Sequence, residues 1–468
     1  MPRLACSAGL PRGLRETCGF SLTFATAVLL NLMLALAAAA QTPSADEQQY
    51  LFSVLPFIDR GELSKAEGQL LAGIERYAKS AILYNALGIV YRKENKIDDA
   101  ANAFRKALEI LPSFTAAQLQ LGSIYQQQEQ KTSAAELFRA AAESTTNFDA
   151  LMAAGQGLAD CNDLADAARV FARARAARPD SASAAYNLAL AQYKTGDLAS
   201  AAQTLASITS SDADVLYLRG KILEASGKPQ TTDKAVACRM QPANETFCAD
   251  AALEAIRQEH FVDAVALLGP AIEKSPASHA LLSLLGLAQF RLGRYRDAIR
   301  SYMAALKQDA SVDASREGLG FLYYVTGDLQ KARLTVEEGL RNPKADFYLA
   351  HLEAMILYRM SPQLRADAAE AVERAIDANP RFAPSYFLRG KIRMEQNDFE
   401  GALVDFEHAA ELNPKYPLPY FKMAQIYARQ GRTKEAAAAR RKFSELGNLR
   451  EEEILARQTQ DVLMPASR

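Results

Sequence analysis

The sequence is poor in metal-binding and redox-active residues, with four histidines and five cysteines among 468 residues, and it lacks tryptophan. The histidines are scattered without the spacing of metal ligands, so we predict neither a metal site nor another cofactor. They are His260, His279, His351 and His408. Positive and negative charges almost cancel, giving a formal net charge of −1. This balance gives no indication of binding to nucleic acid or to an anionic membrane surface.

Motifs of catalysis are also missing from the sequence. No serine lies in a G-x-S-x-G elbow. Gly286 and Gly293 are neither preceded by a predicted strand nor followed by the lysine–serine pair of a phosphate-binding loop. Carboxylate pairs such as Asp98–Asp99 fall on helix surfaces that we predict to face solvent. The sequence therefore predicts a protein that is not an enzyme, and a hydrolase of envelope polymers or glycans remains a remote alternative.

What the sequence offers instead is helical periodicity in a chain dominated by alanine and leucine. In the stretch 81–113, Leu83, Leu87 and Val90 follow the spacing of an amphipathic helix. Polar residues 95–98 interrupt the apolar pattern, a second helical stripe follows, and Pro112 ends it. The stretch is therefore predicted to form a helix hairpin.

Small residues mark the place where the two helices of this hairpin would cross. Gly88 and Ala100 allow close approach, and Phe104 fills the space beside them. One hairpin cannot bury its apolar stripe alone, so neighbouring hairpins must stack on it. Counted from Ala81, the pattern residues occupy positions 7, 8, 11, 20, 24, 27 and 32: Leu87, Gly88, Tyr91, Ala100, Phe104, Ala107 and Pro112.

This pattern of small, aromatic and proline positions in a unit of about 34 residues resembles the tetratricopeptide-repeat (TPR) family. It recurs with drift along most of the chain. The resemblance implies an all-α protein, a right-handed α-solenoid of about twelve TPR-like helix hairpins after an N-terminal signal peptide. The predicted segments are the signal peptide or anchor 1–40, a polar leader and diverged capping repeat 41–80, repeats 81–212, a degenerate repeat and candidate hinge 213–244, repeats 245–446, and a C-terminal cap and tail 447–468.

The first forty residues have the pattern of a secretory signal. Arg3, Arg12 and Arg15 precede a mostly apolar stretch, 20–36, and three alanines end at Ala40. We expect cleavage after Ala40 and export to the periplasm or the outside of the cell. The alternative is an uncleaved membrane anchor through residues 20–40, because about 20 apolar residues span a bilayer.

Three cysteines would remain in the mature chain. Cys238 and Cys248 lie ten residues apart in an irregular stretch, and an exported protein meets conditions that allow them to pair. Sequence spacing does not establish the geometry of a bridge, so both the disulfide and two free thiols stay open. Cys161 reads as a small, partly buried side chain.

The resemblance also suggests where a partner would bind. In this family, positions 2, 5, 9 and 12 of each repeat tend to face a peptide held on the concave face. The two-carboxylate clamp of chaperone-tail binders is not matched, since residues such as Leu119 and Met152 stand where clamp residues are needed. Carried onto this chain, the groove positions give the candidate partner-binding residues Asn85, Arg92, Tyr186, Tyr193, Tyr217, Lys221, Phe290, Glu317, Tyr324, Phe387 and Lys391.

Taken together, the sequence predicts a non-catalytic scaffold that binds a protein or peptide on its concave face, in the cell envelope or outside the cell. Aromatic side chains among a few charges suit such a partner, because they supply large contact areas at low entropic cost. A membrane-anchored assembly factor with an uncleaved N-terminal segment is the alternative. In that case the membrane would be contacted only through the N-terminal segment.

Overall fold

The computed structural model describes residues 44–228, 231–311, 313–342 and 346–447. In these ranges the chain forms twenty-four α-helices and no strand, which confirms the predicted all-α class and the twelve helix hairpins. The predicted signal peptide or anchor at 1–40 lies outside the described residues. So does the C-terminal cap and tail, apart from Gly447.

The helices are α1 Ala45–Asp59, α2 Leu63–Arg76, α3 Ala81–Lys93, α4 Ile97–Ile110, α5 Thr115–Gln127, α6 Lys131–Glu143, α7 Phe148–Asp160, α8 Leu164–Ala177, α9 Ala182–Lys194, α10 Leu198–Ala206, α11 Ala213–Ala225, α12 Thr231–Met240, α13 Glu245–Arg257, α14 Phe261–Lys274, α15 His279–Arg291, α16 Tyr295–Gln308, α17 Asp313–Thr326, α18 Leu329–Leu340, α19 Phe347–Met360, α20 Arg365–Ala378, α21 Ala383–Glu395, α22 Phe399–Leu412, α23 Pro417–Arg429 and α24 Thr433–Leu446. Each odd-numbered helix and the even-numbered helix after it form one hairpin, and we number the hairpins 1 to 12 along the chain. The odd-numbered member is called the first helix. The chain divides into two compact units, unit 1 (Met1–Ala237) and unit 2 (Cys238–Arg468).

The turn inside nearly every described hairpin contains one residue with left-handed backbone. Eleven of the twelve described hairpins have such a residue, glycine in six of them and asparagine or glutamate in the others. In hairpin 2, Asn95 has φ 61°, and the Lys96 N–H donates to the Tyr91 carbonyl at 2.8 Å. This arrangement satisfies a carbonyl that the helix end would otherwise leave without a partner.

Hairpin 10 turns differently, because its repeat is 36 residues long, from Phe347 to the residue before Ala383, and contains two residues more than the 34 of hairpin 2. Ser361 is extended, and Pro362–Leu364 form a short 3₁₀ helix before α20. The insertion is therefore accommodated in the turn, where added residues cost least.

In most hairpins the two helices cross closely at a glycine, and a side chain of the other helix packs against that glycine. We call this gap beside the glycine the notch. In hairpin 2, a Cβ atom at Gly88 would lie 2.6 Å from the Phe104 ring, and both Phe104 and Ala100 are fully buried. Hairpin 11 repeats the arrangement with Gly390 and Phe406, at 2.7 Å. The predicted close approach of the helices is therefore present, with the ring occupying the space that a side chain would need.

Neighbouring hairpins stack onto the same rings. In unit 1, a Cβ at Gly157 in hairpin 4 would lie 2.5 Å from Phe138 of hairpin 3. In unit 2, Gly318 of hairpin 9 approaches Tyr302 of hairpin 8 equally closely. Each ring is thus packed between two hairpins, as expected for repeats that cannot bury their apolar surface alone.

Hairpin 6 is the degenerate repeat of the sequence, and its second helix is short. α12 ends at Met240 and has ten residues, against fourteen in the second helix of hairpin 2. Cys238 and Cys248 are joined by a disulfide with an S–S distance of 2.12 Å, and both are buried. The bridge connects the last turn of α12 to the first turn of α13. The hinge itself stays a prediction.

Candidate partner-binding site

All eleven candidate residues lie on first helices, six in unit 1 and five in unit 2. Five of their side chains are buried: Asn85, Tyr186, Phe290, Glu317 and Phe387. The other six are half-buried: Arg92, Tyr193, Tyr217, Lys221, Tyr324 and Lys391. Contact with a partner stays a prediction for all of them, but the structure separates residues that pack inside their unit from residues that reach its surface.

Three candidates meet at one shallow depression on the first helices of unit 2. Tyr324, Phe387 and Lys391 line it together with residues from α19, α21 and the turn before α23. It contains about 330 Å³ of space, part of it open to solvent. We call it the aromatic depression, and its full lining is Tyr324, His351, Met355, Tyr358, Pro384, Phe387, Leu388, Lys391 and Tyr416.

The floor of the aromatic depression is apolar. Phe387 lies between Phe406 and Tyr416, with ring-centroid distances of 5.7 and 5.3 Å. Met355 and Leu388 are buried beside it. The Phe387–Tyr416 pair is edge-to-face and the Phe387–Phe406 pair is tilted. Close packing of this kind fixes the rings and leaves a rigid apolar surface.

His351 is the titratable group of this floor, and it is 2% exposed. Its Nδ1 lies 3.1 Å from the Ser385 hydroxyl, and its ring packs against Tyr348 and Phe382 at centroid distances of 5.8 and 5.1 Å. Burial lowers the pKa of His351 to about 3, because a charged imidazolium would lose its hydration there. The floor is therefore uncharged at neutral pH.

Cations stand at the rim of the depression, over aromatic rings. The Lys391 ammonium lies 4.8 Å from the Tyr358 ring centroid and 5.7 Å from that of Phe387. Arg359 lies 4.9 Å above Tyr324 and donates to the Tyr324 carbonyl at 2.7 Å. Such cation–π contacts favour keeping the charges at the aromatic surface.

Arg365, which follows the insertion in hairpin 10, braces one side of the rim. It stacks on Tyr358 at 3.9 Å and donates to Glu395 at 2.6 Å and to the Ser361 carbonyl at 3.1 Å. Tyr358 also donates to Glu395. Although burial acts to raise it, these hydrogen bonds lower the pKa of Glu395. Glu395 is thus ionised and already engaged.

Glu317 is one of the buried candidates. It is 3% exposed, and its Oε1 has no hydrogen-bond partner among the described residues. Burial, with the negative charges of Asp346 and Asp313, raises the pKa of Glu317 to about 8. The hydroxyl of the buried Tyr302 nearby is also without a partner in the described ranges. Glu317 is therefore protonated at neutral pH and does not present a negative charge to a ligand.

On the first helices of unit 1, polar side chains bridge neighbouring hairpins. Arg92 donates to Gln120 and, at 3.3 Å, to Ser123 on the next first helix. Gln126 reaches Asp160 at 3.1 Å in the same way. These side chains bridge neighbouring hairpins, so the predicted site residue Arg92 already makes hydrogen bonds within the protein.

No helix in the described ranges is long and apolar enough to cross a bilayer. Among the same residues, no group of three or more histidine, cysteine, aspartate or glutamate side chains is arranged to hold a metal ion.

Family models for this type of repeat match the chain in both units. Models described as tetratricopeptide repeat match residues 57–113, 85–150, 249–295 and 284–346, and residues 158–222. A model described as TPR repeat matches residues 390–431. Together the matches cover more than half of the chain. The chain belongs to the tetratricopeptide-repeat family.

Individual relatives of this TPR protein are distant. Superkiller protein 3 of Schizosaccharomyces pombe is 31% identical over 144 residues, which are 29% of this chain and 10% of that protein. The chain thus spans about a tenth of that relative's length. Among solved structures, the Cut9–Hcn1 complex of APC/C aligns over 94% of this chain and 99% of the other at 11% identity, with a TM-score of 0.43. Yeast Tom70 aligns over 89% of this chain and 99% of its own at 13% identity, with a TM-score of 0.38.

The TPR register also shows which lining residues the sequence reasoning missed. His351, Met355 and Tyr358 occupy positions 5, 9 and 12 of hairpin 10, counted from Phe347, so the rule that selected Phe387 and Lys391 would have found them. Tyr416 precedes α23 and carries no such signal. It enters the depression because hairpin 12 stacks on hairpin 11.

Proposed function

We propose that this TPR protein is a non-catalytic scaffold that binds a protein or peptide partner through the aromatic depression of unit 2. The depression carries the proposal: it combines a rigid apolar floor with half-exposed Tyr324, Tyr358 and Lys391 at its rim. Aromatic residues packed around a pocket are the usual anchors of protein interfaces. Repeat scaffolds generally use the surfaces built by their stacked units for binding.

We further propose that the protein works outside the cytoplasm. The signal-like pattern of residues 1–40 supports export. The Cys238–Cys248 disulfide supports it independently, because such bridges persist in oxidising compartments. Sequencing the N-terminus of the mature protein tests this proposal. A start at Gln41 agrees with cleavage, and retention of residues 1–40 in a detergent-extracted protein favours the anchored assembly factor.

The binding proposal is tested by affinity capture from the native cells, followed by cross-linking of the captured protein. The test variant is Tyr324→Ala/Lys391→Ala, which removes two half-buried side chains from the rim. Tyr84→Ala is the matched control, because Tyr84 is a half-buried tyrosine on a first helix of unit 1 and is not among the candidate residues. A partner held by the parent and the control but lost by the rim variant supports the proposal. Equal capture by all three contradicts it.

A further inference from the structure

Glu317 is a buried acid that the proposed function does not use. It lies on α17, next to Gly318, where hairpin 9 packs against hairpin 8, and it does not line the aromatic depression. We propose that Glu317 makes this contact sensitive to pH, because the contact accepts the neutral side chain and is weakened when the proton is lost. The proposal concerns packing within unit 2 and does not depend on what the aromatic depression binds.

The contact between hairpins 8 and 9 is closely packed at this point. A Cβ atom at Gly318 would lie 2.5 Å from Cζ and 2.8 Å from the hydroxyl oxygen of Tyr302 on α16. The Tyr302 side chain is buried, and its hydroxyl has no hydrogen-bond partner among the described residues. Such packing leaves little room for the water that an ion beside it would need.

Glu317 itself lacks compensation for a negative charge. Its side chain is buried, and within the described ranges its Oε1 makes no hydrogen bond. The charged groups that act on it are Asp313 and Asp346, and both are negative. Burial and like charges both favour the neutral form of a carboxyl group. The fold therefore holds Glu317 as a carboxylic acid at neutral pH.

Arg316 does not neutralise Glu317, although it precedes it in the sequence. The Arg316 side chain turns toward α18, where its Cδ would lie 2.5 Å from a Cβ at Gly339. Its guanidinium lies 3.7 Å from the carboxylate of Glu338 on the same helix. The positive charge of Arg316 is thus directed at α18 and away from the contact with hairpin 8.

The other elements packed against α17 present neutral or negative groups. They are the Ser283 hydroxyl on α15, which pairs with Ser315 at 2.5 Å, the Tyr302 hydroxyl on α16, Asp346 at the N-cap of α19, and His351 on α19, which faces Ser385. His351 is neutral at pH 7, since burial lowers its pKa. In the part of the chain that the structure describes, an ionised Glu317 would therefore meet no positive charge.

The direction of the pH effect follows from the two states of Glu317. When the contact opens, the side chain is hydrated and ionises at its ordinary pKa of 4.5, whereas in the closed contact its pKa is raised to about 8. Between these values the closed contact holds a proton that the open one releases. Opening therefore becomes more favourable as the pH rises through this range, and it levels off above it.

Hydrogen exchange of the full chain, corrected for the intrinsic pH dependence of exchange, measures the opening of α16 and α17. The test variant is Glu317→Gln, which keeps the shape of the side chain and cannot ionise. The ratio of the opening constant of the parent to that of this variant should rise at least about tenfold between about pH 5 and about pH 8. Glu337→Gln is the matched control, because Glu337 is a half-buried carboxylate on α18 that pairs with Arg333 at 2.6 Å. Its ratio to the parent should stay constant over this range.

Infrared spectroscopy detects the proton directly and does not depend on how well the glutamine variant folds. At neutral pH the parent should show the band of a protonated carboxyl group, and the band should disappear in mildly alkaline solution. Asp346→Asn keeps an acceptor at the N-cap of α19 and removes one neighbouring negative charge. It should move the loss of the band to lower pH, which a purely structural role of Glu317 would not do.

Two outcomes overturn the proposal. A constant exchange ratio between the parent and Glu317→Gln across the range would show that ionisation of Glu317 does not open the contact. A parent without the protonated carboxyl band at neutral pH would show that Glu317 is already ionised in the closed contact. Neither result bears on partner binding by the aromatic depression, which the capture experiment tests separately.

Discussion

Hairpins 2 and 6 fill the same notch with different side chains, an aromatic ring in hairpin 2 and a charged lysine in hairpin 6. In hairpin 2 the notch at Gly88 is filled by the ring of Phe104. In hairpin 6 the notch at Gly220 is filled by the stem of Lys234, whose Cγ would lie 2.7 Å from a Cβ at that glycine. Lys234 is 2% exposed. The comparison shows that the repeat requires the notch to be filled, and that a ring is one way of filling it.

The lysine is tolerated because its charge has a partner. The Lys234 Nζ donates to Glu224 at 2.6 Å. Although burial acts to raise it, this hydrogen bond and the charge of Lys221 lower the pKa of Glu224. A buried cation needs such compensation, whereas Phe104 needs none. Hairpin 6 is therefore held by a pair of residues where hairpin 2 is held by one.

The largest effect should come from removing the partner of the buried lysine. Glu224→Ala leaves Lys234 without its carboxylate, and we expect the loss of about 3 kcal/mol of local stability. Hydrogen exchange of the amides in α11 and α12 measures it, since repeat proteins open locally. Lys221→Ala is the control, because it removes the half-exposed Lys221–Glu224 pair at 3.3 Å, and a pair of this kind is worth at most about 1 kcal/mol. Equal small effects would mean that Lys234 does not depend on Glu224.

The disulfide next to hairpin 6 should give the second largest effect. It closes a short loop between Cys238 and Cys248, so the Cys238→Ala/Cys248→Ala variant should lose about 2–3 kcal/mol through the greater freedom of its unfolded chain. Faster exchange in α12 and the start of α13 is the readout. Cys161→Ala, which removes a free cysteine, should leave those helices unchanged. Unaltered exchange in the double variant would show that the helices hold this region without the bridge.

The sequence predicted hairpin 2 better than hairpin 6 for a physical reason. Gly88 and Phe104 are sixteen residues apart in the regular pattern, whereas Gly220 and Lys234 are fourteen apart. The changed spacing and the shorter second helix of hairpin 6 hide the equivalence. A lysine at a core position also looks like a departure from the pattern until its carboxylate partner is seen. The disulfide could not be assigned from spacing because pairing depends on backbone geometry.

The candidate site, like hairpin 6, could be predicted from the sequence only in part. Family positions identified Tyr324, Phe387 and Lys391, since those positions recur on every first helix. They did not separate buried from half-exposed members, because burial depends on the neighbouring hairpin. Arg365 was not predictable, since it reaches the rim only through the turn that the insertion forms.

A smaller effect is expected at the consensus notch itself. Gly88→Leu would force a side chain into the space of the Phe104 ring, and overpacking of this kind costs about 1–3 kcal/mol. Thermal unfolding and exchange in α3 and α4 measure the change. Gly68→Leu is the matched control on the exposed side of α2, where a Cβ meets nothing within 4 Å. A Gly88→Leu variant as stable as the control would contradict the register that places Gly88 against Phe104.

The smallest effect is expected where hairpin 6 is made to resemble hairpin 2. Lys234→Met fills the notch with a stem of similar length and no charge, and replacing a buried ion pair by an apolar group is often neutral or stabilising. We expect a change within about 1 kcal/mol in the exchange of α11 and α12. Adding Glu224→Ala to this variant should cost far less than Glu224→Ala alone, because no buried cation remains. These two results would mean that stability does not require the lysine. If Lys234→Met instead lost as much stability as Glu224→Ala, the ion pair itself would be what holds hairpin 6 together.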